Sequence, residues 1–222
     1  MYFSPKLKTV YIHIPKTGGL SMMDYLQSMK PNEGRRRRRH EQGYQIADFL
    51  RRFPGKFPGY NTDWFWWATI RHPIERWQSQ VRMTQAQRGT RNEKKTITDW
   101  SERGIYEYFD SFRNRVDMPV NGALQSQMAF LRGVDWPIYL VDINNPLLPT
   151  IIERQFGRPF TEHVNRTHRD TFEADPEITH KIRTRAYYKE DIQLYRAVSE
   201  CSDWFKYDPI EFRRQRKNYS DS

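Results

Sequence analysis

The sequence predicts an α/β fold in which one parallel sheet is flanked by helices. Three short apolar segments, residues 11–14, 66–70 and 136–142, have the β-branched and aromatic composition of buried strands. Each is followed by a segment in which apolar residues recur at helical spacing. Strands that alternate with helices favour a parallel sheet covered on both faces, with ligands at the carboxyl ends of the strands.

A chain of 222 residues is most simply a single domain, here residues 1–222, and it is long enough to bury a sizeable core. Aromatic residues make up 15% of the chain, which indicates that they supply much of that core. The segment from about residue 213 is polar and is expected to form a frayed tail. No stretch is apolar enough for a signal peptide or a membrane span, so we expect a cytoplasmic protein that does not engage a membrane.

Apolar spacing, capping residues and Pro-Gly turns place the remaining elements in order. After the first strand and its helix, the pattern predicts a helix at about 41–52, the strand 66–70, a helix at about 73–87, a helix carrying residues 105–112, a helix around 124–131, the strand 136–142, a helix from 146 to 156, and a last helical region from 176 to 198. Gly157 is expected to end the helix before it.

The loop after the first strand has the composition of an anion-binding turn. Residues 15–19 read Pro-Lys-Thr-Gly-Gly, and paired glycines permit torsions and close approaches that let successive N–H groups converge at a helix N-terminus. Lys16 adds a mobile positive charge, and Thr17 and Ser21 add hydroxyl donors. The lysine precedes the glycines, the reverse of the order in G-x-x-x-x-G-K-[ST], which argues against an ordinary ATPase. The alternative interpretation is a surface turn that follows a strand.

A second segment suggests another phosphate contact. The strand 66–70 is followed at once by Arg-His-Pro-Ile-Glu-Arg-Trp-Gln-Ser. Pro73 suits the first turn of a helix, which places Arg71 at the corner between strand and helix and Ser79 about two turns further along. An arginine fork and a hydroxyl on a helix can bind one phosphate together.

The two segments together resemble the sulfotransferase superfamily, most closely the carbohydrate O-sulfotransferases of the heparan sulfate 2-O and 6-O type and their small bacterial relatives. In that family a PKTGG-like loop binds the 5′-phosphosulfate of PAPS (3′-phosphoadenosine 5′-phosphosulfate), and an R-[DNH]-P-x-x-R-x-x-S element binds the 3′-phosphate. The resemblance covers the layout from about residue 8 to 208 and implies a P-loop-like sheet flanked by helices, the sulfotransferase fold. The donor contacts that it implies are Lys16, Thr17, Gly18, Gly19, Leu20, Ser21, Arg71 and Ser79. His72 stands where aspartate or asparagine is common in the family.

The resemblance also implies catalytic residues. Lys16 would neutralise charge on the departing phosphate oxygen, and His40, in the interval where related enzymes carry a histidine, would accept the proton of the acceptor. The open alternative is that His40 belongs to a solvated basic loop. The segment Glu-His-Val-Asn-Arg-Thr-His resembles the loop that closes over the nucleotide, so Arg166 and Thr167 would contact the 3′-phosphate or its ribose, with His163 as a second candidate base. A capped polar connection is the alternative for that segment.

The composition of the chain also predicts an anionic partner. The net charge of the chain is +10. Five consecutive arginines occupy positions 35–39, and this run is interpreted either as a solvated loop or as a rim that binds an anionic acceptor. Nucleic acid is disfavoured as a partner because no recognised nucleic-acid motif accompanies the run. The histidines are scattered and the chain has one cysteine, so no metal is expected. The amides of Gln125 and Gln127 are candidate contacts for adenine or for the acceptor, and the alternative is that they hydrogen-bond solvent from a helix face.

The expected function is that of a PAPS-dependent O-sulfotransferase acting on an acceptor hydroxyl, with a carbohydrate preferred as acceptor. Two alternatives remain open at this point. One is a nucleotide kinase-like phosphotransferase, against which the order of the glycines and the lysine counts. The other is a basic module that binds polyanions or nucleic acid without catalysis.

Overall fold

In the computed structural model the described residues are 2–29, 35–36, 42–79, 126–161 and 186–212, with residues 35–36 and 186–187 described as backbone alone. The predicted base His40, the second candidate His163 and the predicted nucleotide contacts Arg166 and Thr167 lie outside these ranges.

The described part of the chain contains six strands and six helices. The strands are β1 (Tyr2–Ser4), β2 (Thr9–Tyr11), β3 (Arg35–Arg36), β4 (Phe65–Ile70), β5 (Ile138–Asp142) and β6 (Phe205–Tyr207). The helices are α1 (Gly19–Met29), α2 (Gly43–Arg51), α3 (73–79), α4 (Gln127–Leu131), α5 (Leu148–Phe156) and α6 (Ala186–Ser199), with one more helical turn at 209–212. None of the helices in the described ranges is both long enough and apolar enough to cross a membrane.

The strands form one mixed sheet in the order β3-β1-β2-β4-β5-β6. The central strands β2, β4 and β5 are parallel, with Tyr11 opposite Trp67 and Trp67 opposite Tyr139. The strands β1, β3 and β6 pair antiparallel. The α/β class is therefore confirmed, but the sheet is mixed where a parallel one was expected. Residues 5–8 alone join β1 to β2, and parallel neighbours need a crossover of a dozen or more residues.

Most of the predicted elements that fall within the described ranges lie close to their expected positions, and the helix predicted at 105–112 lies outside those ranges. The strands at 66–70 and 136–142 and the helices at 41–52 and 146–156 correspond to β4, β5, α2 and α5. Gly157 ends α5 in the left-handed conformation, as expected. The first strand is shifted, because β2 ends at Tyr11 and only the N–H of Ile12, 2.9 Å from the Trp67 carbonyl oxygen, continues the pairing. The three-residue strands β1 and β6 were not anticipated, nor was the two-residue strand β3, which pairs with β1 where the sequence suggested a solvated loop or an acceptor rim.

Helices cover both faces of the sheet, because successive side chains of each strand point to opposite sides. Trp66, Ala68 and Ile70 of β4 pack into one core with α2, α4 and α6. Trp67, between them in sequence, packs into the other core with α1 and α5. The flanked arrangement predicted from the sequence is confirmed, and it leaves the carboxyl ends of β2, β4 and β5 together at one edge.

Candidate anion-binding site at the ends of the central strands

Three connections meet at the carboxyl edge of the parallel strands. Residues 12–18 lead from β2 into α1, Arg71 follows β4, and Ile143 follows β5. The N–H of Ile143 donates to the carbonyl of Ile70 at 2.9 Å, which holds the connection after β5 beside the end of β4. Such an edge is where open parallel sheets bind ligands.

Left-handed backbone conformations shape the loop after β2. The φ angle is 68° at Lys16 and 78° at Gly18. A Cβ atom on Gly18 would lie 2.5 Å from Cδ1 of Ile143, so a side chain there would require the Ile143 side chain to move, in addition to the strain of the positive φ. Lys16 carries a side chain in this conformation at a cost on the order of 1 kcal/mol. A strained non-glycine residue in a loop is a feature that functional sites often show.

Gly19, the second glycine of the loop, has no room for a side chain, for a different steric reason. A Cβ atom on Gly19 would overlap the imidazole ring of His13, which is buried at the end of the first strand segment. His13 therefore packs against the start of α1. Gly18 and Gly19 together let the loop and the helix start approach the sheet edge closely.

Backbone amides collect at the start of α1. Among the described residues the N–H groups of residues 16–20 donate no short, well-aligned hydrogen bond, although residues 15–18 form a turn. The first bond of the helix runs from the N–H of Met22 to the carbonyl of Gly18 at 3.3 Å. The free N–H groups of a helix start carry the positive end of the helix dipole. The loop can therefore bind an anion through its backbone.

The side chain of Thr17 faces the interior. Its hydroxyl is fully buried and donates to the carbonyl of Ile14 at 2.9 Å. The hydroxyl of Thr69 on β4 donates to the carbonyl of Thr17 at 2.6 Å. This differs from the expectation that Thr17 offers its hydroxyl to the anion, because that hydroxyl already stabilises the loop from within. Ser21, the other expected hydroxyl donor, is also buried.

Lys16 and Arg71 belong to different strand-loop-helix units and lie close enough to repel one another. Burial, and in addition the positive charge of Arg71, lower the pKa of Lys16 to about 8. No carboxylate of the described residues forms an ion pair with the Lys16 ammonium. A lysine held in this way favours a negatively charged ligand, which would relieve both the burial and the repulsion.

Among the described residues Arg71 forms an ion pair with the carboxylate of Glu75. Its Nε donates to Oε2 of Glu75 at 3.2 Å, and Nδ2 of Asn144 donates to the same oxygen at 2.9 Å. The side chains of Arg71 and Glu75 are 27% and 44% exposed, so solvent weakens this pair. The pair uses Nε, and the two terminal nitrogens of the guanidinium fork remain as donors for a ligand.

The backbone of Arg71 is fixed by a buried amide. Gln127 of α4 accepts the N–H of Arg71 on Oε1 at 3.0 Å and donates Nε2 to the Arg71 carbonyl at 2.8 Å. Gln127 is fully buried. The sequence interpretation of Gln127 as a contact for adenine or acceptor therefore changes to a structural role at the base of Arg71.

A buried ion pair connects the two anion-binding segments. Arg76 of α3 donates Nε to the carbonyl of Pro15 at 3.0 Å, and its Nη1 lies 3.7 Å from Oδ2 of Asp191. Asp191 also accepts the Ser126 hydroxyl at 2.6 Å and the Gln127 N–H at 2.9 Å. Burial raises the pKa of Asp191, and the charge of Arg76 opposes that rise. One carboxylate thus braces α4, α3 and, through Arg76, the loop after β2.

Besides Asp191, a second buried carboxylate, that of Asp142, lies at the end of β5. Oδ2 of Asp142 accepts the Tyr195 hydroxyl at 3.0 Å, and Oδ1 accepts the N–H of Asn144 at 3.0 Å. Burial, followed by the Asp142 charge, raises the pKa of Tyr195 to about 12. The Tyr195 ring packs edge-on against His72, with centroids 5.1 Å apart. Asp142 therefore orients Asn144, which in turn reaches Glu75.

The structure brings together the two cations that the sequence singled out, Lys16 and Arg71. Ser79 lies in α3, half-buried and about two turns after the corner, as the spacing predicts. Sequence reasoning missed Thr69 and Asp191, whose contacts with the loop and with α4 span 52 and 65 residues. The sequence did offer a signal for Arg76, because this residue is the second arginine of the R-x-P-x-x-R element.

Comparisons of the chain with protein-family models, with curated proteins and with solved structures return no match. Within the described ranges no group of three or more His, Cys, Asp or Glu side chains is arranged to hold a metal ion. The functional assignment therefore depends on the chemistry of the site.

Proposed function

We propose that this protein is a PAPS-dependent sulfotransferase that transfers a sulfuryl group to an acceptor hydroxyl, with a carbohydrate as the preferred acceptor. The observation that carries the proposal is that the loop with Lys16 and the corner with Arg71 follow the paired parallel strands β2 and β4, so that two separate strand-loop-helix units place a cation at the same end of the sheet, next to the amides at the start of α1. A ligand with two anionic groups suits this arrangement better than a single phosphate does.

The loop residues would bind the 5′-phosphosulfate end of the donor. The N–H groups of Thr17, Gly18, Gly19 and Leu20 offer hydrogen bonds, and the Lys16 ammonium offers charge. Transfer forms a bond from sulfur to the acceptor oxygen and breaks the bond from sulfur to the bridging phosphate oxygen. Negative charge grows on that phosphate oxygen, and Lys16 would stabilise it most strongly in the transition state.

The other residues divide between the 3′-phosphate and the acceptor. Arg71 would bind the 3′-phosphate through its terminal nitrogens, and Ser79 would donate its hydroxyl from α3. Arg166 and Thr167 are proposed as further contacts at the nucleotide. His40 is proposed as the base that takes the proton of the acceptor hydroxyl as sulfur is transferred.

Binding of PAP, the product nucleotide, tests the proposal. A ligand at about a hundred times its dissociation constant stabilises a protein by about 2.7 kcal/mol, so PAP should raise the melting temperature visibly. Arg71→Ala should weaken PAP far more than adenosine 5′-phosphosulfate, because only PAP carries the 3′-phosphate. Arg132→Ala is the matched control, since that arginine is 64% exposed and pairs with Glu190 on the surface.

Other results would contradict the assignment. Equal losses of both ligands in Arg71→Ala would show that Arg71 supports the fold instead of the 3′-phosphate. A preference for ATP over PAP would favour the kinase-like alternative. Strongly salt-dependent polyanion binding that survives Lys16→Ala, together with no response to PAP, would favour the non-catalytic basic module.

A further inference from the structure

Two carbonyl groups of the loop after β2 are held by side chains from outside it. The Thr69 hydroxyl of β4 donates to the Thr17 carbonyl at 2.6 Å, and Nε of Arg76 donates to the Pro15 carbonyl at 3.0 Å. Thr69 and Arg76 are both buried, so water does not compete strongly for either carbonyl.

The proton count determines the direction of the hydroxyl network. Each hydroxyl has one hydrogen, and that of Thr69 goes to the Thr17 carbonyl. The Tyr11 hydroxyl, 2.7 Å from Oγ1 of Thr69, must therefore be the donor of that pair. Burial raises the pKa of Tyr11, so its hydroxyl keeps the hydrogen that this requires. The hydrogen of the Thr17 hydroxyl goes to the Ile14 carbonyl.

Because each peptide group is planar, these contacts to the carbonyls also fix the direction in which the N–H groups of the same peptides point. The peptide bonds of the described chain are trans, and in a trans peptide the C=O and N–H groups point in opposite directions. Because the Thr17 carbonyl points at Thr69, the N–H of Gly18 points away from β4. Because the Pro15 carbonyl points at Arg76, the N–H of Lys16 points away from α3.

We propose that Thr69 and Arg76 are positioning residues, which hold the Thr17–Gly18 and Pro15–Lys16 peptides so that their N–H groups face the bound anion. This inference rests on the anion site of the proposed function. Without the Thr69 hydroxyl the Thr17–Gly18 peptide can rotate, since glycine tolerates most torsions. A rotated peptide directs a carbonyl at the anion and removes one hydrogen bond.

A sulfate titration followed by the Gly18 amide resonance tests the inference without any need for activity. Sodium sulfate is added at ionic strength kept constant with sodium chloride, and the saturable shift gives an affinity. Thr69→Val should weaken sulfate by about tenfold to a hundredfold, the value of one hydrogen bond to a charged group. Thr69→Ser keeps the hydroxyl and should bind within about threefold of the parent protein.

Tyr11→Phe is the matched control, because it also removes one buried hydroxyl contact but leaves the Thr69 hydrogen on the Thr17 carbonyl. It should retain sulfate affinity. If Thr69→Val folds poorly because the Tyr11 hydroxyl loses its acceptor, the double variant Tyr11→Phe/Thr69→Val removes both partners and should fold better. The double variant should show the same loss of sulfate as the single one.

Several outcomes overturn the inference. Parent-like sulfate affinity in Thr69→Val, or in the double variant, shows that Thr69 does not position the amide. Equal losses in Tyr11→Phe and Thr69→Val assign the effect to core packing. An absence of any saturable Gly18 shift in the parent protein overturns the anion site and this inference together, whereas sulfate binding without PAP binding overturns only the proposed function.

Discussion

Replacing Lys16 with methionine should stabilise the unliganded protein and remove its affinity for anions. Methionine preserves an unbranched apolar stem of similar length, and it keeps the strain of a side chain at positive φ, so the variant differs mainly by the missing charge. Burial and Arg71 disfavour that charge in the folded protein. The Lys16 ammonium therefore lowers the stability of the folded protein at every pH at which it is charged there.

The pKa of Lys16 gives the size of this cost. The shift from 10.5 to about 8 corresponds to about 3 kcal/mol at about 1.36 kcal/mol per pKa unit. Between those two pH values the unfolded chain holds the proton and the folded protein does not, so stability rises with pH across that window. Below about pH 8 the full cost is present. Partial contact of the ammonium with solvent makes about 3 kcal/mol an upper limit.

Urea unfolding of the parent protein and Lys16→Met at pH 7 and at pH 10 measures the effect. At pH 7 the variant should be more stable by up to about 3 kcal/mol, or up to about 10 °C in melting temperature for a chain of this size. At pH 10 the difference should shrink, because the parent has lost its buried charge. Lys206→Met, at an exposed position on β6, should show no such pH-dependent difference.

Two results would refute the reasoning. A difference between parent and Lys16→Met that stays constant from pH 7 to pH 10 would show that titration of Lys16 is not its cause. A variant that is less stable than the parent at pH 7 would show that the ammonium makes favourable contacts in the folded protein. Loss of sulfate and PAP binding in Lys16→Met is expected whatever the stability result, because Lys16 is proposed to contact the anion, and retained binding would show that it does not.

Two further substitutions test the contacts that hold the loop after β2 in place. Gly19→Ala places a methyl group in the imidazole ring of His13 and should cost about 1–3 kcal/mol in thermal or urea unfolding, whereas Gly55→Ala, with open space around its Cβ position, should change stability little. Parent-like stability of Gly19→Ala would show that the loop and His13 can separate freely. Asp191→Asn leaves the buried Arg76 without its carboxylate and should cost about 3–5 kcal/mol in urea unfolding. A cost below about 1 kcal/mol would show that the pair does not brace the loop.

Local sequence patterns were sufficient for much of the fold. The apolar run of β4 and the β-branched and aromatic residues of β5 marked strands, and Gly157 marked the end of α5, because each of these signals acts over a few neighbouring residues. The short strands β1 and β6 escaped prediction for the same reason. Three residues are too few to show a period, and their pairing with β2 and β5 depends on segments elsewhere in the chain.

The sequence by itself determined that Lys16 lies in a glycine-containing turn before a helix and that Arg71 lies at the corner after a strand. Only the tertiary structure decided that these two cations lie at the same end of the sheet, because parallel pairing of β2 with β4 brings their carboxyl ends together. It also decided that the Thr17 hydroxyl faces inward and that Thr69 holds the Thr17 carbonyl. Hydrogen bonds between residues far apart in sequence leave no local pattern, since they depend on packing and not on spacing along the chain.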